Sequence, residues 1–199
     1  MVGNIFITRH GYDPELGKHV KDPTLGPASS LGACRPDIRR KLSVGDHVFA
    51  ISGKVPFALQ FVMGGFEVAA KLDAKEAYRL FPEQRLHLLT DGQLTGNVIV
   101  DETGHQHELD GHRKATFAKR TDNYVVGTNC LALTSPAEIA AGRRETLEAL
   151  QEILKKSGDS PIKIVGRFGT QLSERQVEQL RDWLASLKNA ARGAALVTH

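Results

Sequence analysis

The sequence predicts an α+β protein built around a strongly bent or closed β-sheet, and three observations carry that expectation. Short apolar segments recur through the first two thirds of the chain with glycine-bearing turns between them. Clear helical periodicity is concentrated in the last third. Regular β-α-β alternation is absent and no glycine-rich phosphate loop follows a strand, which excludes the commonest doubly wound nucleotide binders.

Asn4, Ile5, Phe6, Ile7 and Thr8 read as a short buried strand, after which Arg9-His10-Gly11-Tyr12-Asp13-Pro14 opens a loop. That loop runs through Asp22-Pro23, Gly26-Pro27 and Gly32 to Cys34, and irregular segments of this length in compact domains are usually functional or disordered. Pro36 suits the first turn of a short helix, with Asp37 at its positive end and Arg39, Arg40 and Lys41 at its negative end. Gly45-Asp46 then turns the chain into a strand over 47–52. Residues 57–72 form another apolar run, broken by Gly64-Gly65 in the way that bends a strand or makes a bulge.

Asp73 and Glu76 have capping-box spacing and start a helix that stops before Pro82. Strands are expected over 86–89, 97–101, 124–127 and 130–133, with Gly92, Gly96 and Gly104 as turns. Ser135-Pro136-Ala137-Glu138 launches a helix with Leu147, Leu150 and Leu154 on one face, and Gly158 marks its exit. One more strand is expected over 162–165. Ser173 to Gln176 cap a final helix carrying Val177, Leu180, Trp183, Leu184 and Leu187. The expected organisation is one domain over 1–189 and a flexible, small-residue-rich tail over 190–199.

The 199 residues, 41% hydrophobic and 25% charged, have the composition of an ordinary soluble globular protein. No stretch has the apolar length of a membrane span, and the first residues lack signal-peptide order, so no membrane and a cytoplasmic location are expected. The two cysteines, Cys34 and Cys130, are too few for a disulfide framework and too far apart for a metal knuckle, so both are expected reduced. The net charge of +3 says little about partners; the grouping of Arg35, Arg39, Arg40 and Lys41, and of Arg113, Lys114, Lys119 and Arg120, says more.

Cations beside a loop and a helix start can hold phosphates, with Arg35 or Arg39 giving bidentate contacts, or can simply complement a helix end. The same cations would lower the pKa of Cys34 and make it a conceivable nucleophile, although no histidine base follows nearby. His105 and His107 alternate as strand neighbours do, so the two could share one metal, with Asp110 or His112 completing the set; a polar hairpin after Gly104 produces the same residues. Arg9 to Asp13 leave the end of the first strand, where side chains commonly face a pocket.

The run Cys34-Arg35-Pro36-Asp37-Ile38-Arg39-Arg40, with Val44 to Phe49 and Ser52-Gly53-Lys54, resembles the nucleotide modification associated domain of the second type, a bacterial and phage family. Gly65 to Val68, Ala74 to Phe81, Gly96-Asn97, Leu109 to His112, Asn123 to Gly127, Gly166-Arg167 and Leu172-Ser173 extend the resemblance along nearly the whole chain. The resemblance implies a PUA-like bent or closed β-barrel with inserted and C-terminal helices, similar in type to the EVE, ASCH and YTH modules. It also implies a pocket that accepts a flipped or single base beneath a basic rim.

The expected function is therefore binding of a nucleotide or nucleic acid with a modified base. The expected site comprises Arg9, Tyr12, Asp13, Cys34, Arg35, Arg39, Lys54 and His112, with no metal and no cofactor. The rivals are an enzyme on the same substrates, using Cys34 or a metal at His107, Asp110 and His112, and an adaptor that binds protein through its C-terminal helices.

Overall fold

The computed structural model describes residues 2–197 and has the expected mixed α+β class. Its elements are β1 (Gly3–Gly11), β2 (Ser30–Leu31), α1 (Pro36–Lys41), β3 (His47–Gly53), β4 (Val62–Leu72), α2 (Ala74–Leu80), β5 (His87–Leu88) and β6 (Leu94–Thr95). These are followed by α3 (Lys114–Thr121), β7 (Tyr124–Ala132), α4 (Pro136–Leu154), α5 (Pro161–Val165), β8 (Thr170–Leu172) and α6 (Glu174–Val197). Six strands form one hydrogen-bonded row in the order β2-β7-β4-β3-β1-β8, while β5 and β6 pair separately. Among the described strands, then, the row carries two ends, β2 and β8, and no closing pair joins them.

The chain divides into two compact units, and β4 and β7 each pass from one into the other. The first comprises Met1–Val20, Asp46–Phe66 and Asn129–His199. Here β1 runs parallel to β3, in register from Gly3↔His47 to Ile7↔Ile51, and antiparallel to β8. Ile5, Phe6, Val48, Phe49 and Ile51 are buried, as are Leu150 and Ile153 of α4 and Val177, Leu180, Leu184 and Leu187 of α6. Each fully buried aliphatic or aromatic side chain contributes about 1.5–3 kcal/mol, so these residues supply much of this unit's stability. Gly64 and Gly65 interrupt the apolar run for a steric reason. A Cβ on Gly64 would lie 2.7 Å from Ala132 Cα, and one on Gly65 would lie 2.6 Å from the Val48 carbonyl oxygen. Only glycine lets β4 approach its neighbours this closely.

The α4 start is as the sequence predicts: Ser135 Oγ accepts from Glu138 N, and the Glu138 carboxylate accepts from Ser135 N at 3.0 Å. That carboxylate also takes Thr134 N at 2.7 Å and Lys188 Nζ at 3.1 Å, which ties α6 to the α4 cap. Burial works to raise the Glu138 pKa, but the Thr134 and Ser135 amides and the Lys188 ammonium outweigh it and hold it at about 2.

The second unit comprises Lys21–Gly45 and Glu67–Thr128. Ala74, Ala77, Val98, Val100 and Tyr124 form its main buried cluster, with Leu72, Phe81, Phe117 and Val126 packed against it. Asp73 caps α2 by accepting from Glu76 N, and α2 ends before Pro82, both as predicted.

Several elements differ from the sequence expectation. Residues 162–165 are helical in α5, because Pro161 opens a helical turn after Ser160 and Gly166 at φ +79° ends it. Residues 97–100 are buried, and the segment expected as a strand over 97–101 makes only isolated bridges, Val98 to Arg85 and Val100 to Gln106. The two strands expected around Gly127 are one strand, β7, with Asn129 absorbing an irregularity at φ +49°. The second basic cluster is the helix α3, which buries none of its residues and so showed no apolar stripe. The last helix continues to Val197, since alanine is the strongest helix former and the residues after Asn189 are alanine-rich. Residues 198 and 199 of the expected tail lie outside the described residues.

Candidate functional site

The second unit holds a cavity of about 170 Å³ between the loop before β2 and the start of β7, walled by Ser29, Ser30, Phe81, Glu83, Gln84 and Tyr124 among others. A hydrogen-bonded network fixes its inner wall. Tyr124 donates its phenolic O–H to Asn97 Oδ1 at 2.7 Å. Asn97 Nδ2 donates to Ser30 Oγ at 2.8 Å and to Asp22 Oδ1 at 3.1 Å. The Asp22 carboxylate accepts from Gly32 N at 2.8 Å, from Ala33 N at 2.9 Å and from Cys34 N. The long loop is therefore folded around one buried carboxylate, with each of its oxygens satisfied by amide donors. Burial pushes the Tyr124 phenol well above its ordinary pKa, so it stays a neutral donor.

Gln84 carries the chemistry that the network leaves unspent. It sits in the 3-10 turn Pro82–Gln84 and is only 7% exposed. Its Oε1 accepts from Thr24 Oγ1 at 3.1 Å, while its Nε2 donates to nothing among the described residues. A cavity wall with a flat aromatic edge (Phe81 lies at 16° to Tyr124, centroids 6.2 Å apart) and a spare amide donor suits a planar ligand with a hydrogen-bonding edge. The exposed Glu83 carboxylate beside Gln84 adds an acceptor and disfavours phosphate at this mouth.

The first unit holds a larger cavity, about 350 Å³, walled by Asp13, Pro14, Thr134, Pro136, Ile139 and Arg143. Its charges answer one another. Arg143 Nη2 meets Asp13 Oδ2 at 2.6 Å, and Asp13 Oδ1 accepts from Leu16 N at 3.3 Å. Arg143 also lies over the Phe61 ring at 5.6 Å, on which Tyr12 packs at 6.1 Å.

The sequence-predicted site residues fall four to each unit: Arg9, Tyr12, Asp13 and Lys54 in the first, Cys34, Arg35, Arg39 and His112 in the second. Four readings need correction. Arg39 is fully buried, and its guanidinium donates to the carbonyls of Cys34, Asp122, Asn123, Arg120 and Ala33, so it has no donor for a phosphate. Arg35 forms a two-bond fork with Asp37, Nε to Oδ1 at 3.0 Å and Nη2 to Oδ2 at 2.7 Å, which holds the Asp37 pKa down and commits the bidentate edge expected to meet phosphate. The thiol of Cys34 is pushed far above its ordinary pKa, first by burial and then by Asp22, the reverse of nucleophile activation. Asp13 is an ion-pair partner of Arg143 and not a free acceptor.

His112 meets Asp110 at 2.6 Å; burial works to raise the Asp110 pKa, but His112 and Gln106 hold it below the usual range. Among the described residues no group of three His, Cys, Asp or Glu side chains is gathered as a metal site. Nor is any helix of the described residues long and apolar enough to cross a membrane.

Sequence reasoning missed Gln84, Asn97, Tyr124 and Arg143. Gln84 and Arg143 carry no local signal, because distant segments give them their partners. Asn97 could have been noticed: a lone amide heading the apolar Val98-Ile99-Val100 must find buried partners. Comparison with family models, with curated proteins and with solved structures finds no match.

Proposed function

We propose that this protein binds a nucleotide or nucleic acid by taking a base into the cavity beside Tyr124. The observation that supports this most is Gln84, which is only 7% exposed and lines the cavity, and whose Nε2 has no hydrogen-bond partner among the described residues. A base edge that accepts from Nε2 would complete it, and Phe81 would offer the face on which the ring lies. The PUA-like barrel belongs to the same proposal: Gly64 and Gly65 permit the close strand approach that a strongly bent sheet needs. A base extruded from a duplex costs a few kcal/mol to unstack, which favours damaged or modified bases.

Calorimetric titration of modified and unmodified mononucleotides, repeated with Gln84→Leu, tests the proposal. Saturable binding weakened about tenfold in the variant supports it. No binding by any nucleotide or short oligonucleotide, or affinity unchanged in Gln84→Leu, overturns it.

A further inference from the structure

The connection between β3 and β4 ends in a turn that its own sequence disfavours. Ala58 N donates to Val55 O at 3.3 Å, closing a four-residue turn with Pro56 and Phe57 at its centre. Proline at the second position and a positive φ at the third mark a type II turn, whose third position glycine ordinarily fills. Here Phe57 fills it at φ +65°, with its ring fully exposed. A bulky L-residue in the left-handed region is strained, and exposure of the whole ring forgoes burial as well. Neither the backbone nor the core of this unit accounts for a phenylalanine at this position.

The base of the turn carries unpaired cations. Gly11 of β1 is paired with Gly53 of β3, and both positions admit only glycine. A Cβ on Gly53 would lie 2.5 Å from the His10 carbonyl oxygen, and one on Gly11 would lie 2.7 Å from the Lys54 carbonyl oxygen. The two chain segments that carry Arg9 and Lys54 are thus pressed together below the Phe57 tip. Both side chains are exposed, and neither forms an ion pair among the described residues.

We propose that Phe57 is a stacking finger for single-stranded nucleic acid, its ring lying on an unpaired base while Arg9 and Lys54 take the flanking phosphates. This surface belongs to the first unit and the Tyr124 cavity to the second, and it rests on the proposal that the chain binds nucleic acid. One exposed ring beside cations suits a base, every one of which has a π-face to stack on. An anionic membrane would offer the same charge, but stable interfacial binding draws on a broad apolar face, and this connection exposes only Phe57 and Leu59 as large apolar side chains.

Fluorescence anisotropy of the full chain with a labelled oligothymidylate of about twelve nucleotides tests this. Phe57→Gly should weaken binding about tenfold while raising Tm by about 2–4 °C, because glycine relieves the turn. Phe57→Trp should keep the affinity and show quenched emission on binding. Lys54→Gln should reduce the slope of log affinity against log salt by about 0.7. Phe57→Gly binding as tightly as the unaltered chain overturns the proposal. So does Phe57-dependent binding to vesicles containing phosphatidylserine with none to the oligonucleotide. If mononucleotides bind in a Gln84-dependent manner and the oligonucleotide does not, the finger fails and the cavity proposal stands; if neither binds, both fail.

Discussion

Arg39 donates from Nη1 to the carbonyl of Asp122 at 2.7 Å, so a cation placed by the sequence at a helix end instead closes the turn that leads into β7. The same nitrogen takes the Asn123 carbonyl at 3.0 Å, and Asn123 itself is left-handed at φ +57°. Removing the guanidinium strands several buried carbonyls at once. Arg39→Ala is expected to lose about 3–5 kcal/mol of stability, and Arg39→Lys to lose nearly as much because one ammonium cannot reach five acceptors. Urea unfolding checks both, and a rim role would instead show near-wild-type stability with a reduced salt slope in binding.

Tyr124 and Gln84 should separate stability from binding. Tyr124→Phe leaves Asn97 Oδ1 without its donor and is expected to cost about 1–2 kcal/mol. Gln84→Leu keeps volume and loses chiefly the Thr24 contact, so its stability cost should stay below about 1 kcal/mol while nucleotide affinity falls. Thermal unfolding and calorimetry on the two variants give the comparison.

The thiol of Cys34 should be inert. With its pKa raised by burial and by Asp22, it is protonated across neutral pH. In a Cys130→Ser background, its reaction with a disulfide reagent at neutral pH should be at least about tenfold slower in native protein than in denatured protein. Equal rates would restore the nucleophile.

Glu138 sets an acid-sensitive cap. Its folded pKa of about 2 lies below the unfolded 4.5, so the stabilisation is fully present above pH 4.5 and is lost as pH falls through about 2. Glu138→Gln should therefore flatten the acid limb of stability against pH between about 5 and 2, without moving the limb above neutrality. Chemical denaturation at a series of pH values reads it directly.

Local rules made the α2 and α4 caps legible, because Asp73 with Glu76 and Ser135 with Glu138 are complete within four residues. β3 was legible for a similar reason, since the apolar run over 48–51 lies in a strand buried along its whole length. The strand expected over 162–165 failed because three apolar residues around Lys163 are too short a segment to separate strand from helix, and Pro161 decided the outcome. The site was mostly illegible: Asp22 meets Asn97 from 75 residues away, and Arg143 meets Asp13 from 130 away. Cation clustering misled at Arg39, since a sequence shows a charge but not the five carbonyls around it.

The most direct measurement of where a base would sit is a side-chain amide NMR titration with a mononucleoside. The Gln84 Nε2 protons and the backbone amides of Ser29, Ser30 and Val126 should shift together and saturate at one affinity. Saturable binding that leaves the Gln84 amide unmoved, or shifts confined to residues outside this cavity, would contradict a base-binding role for it.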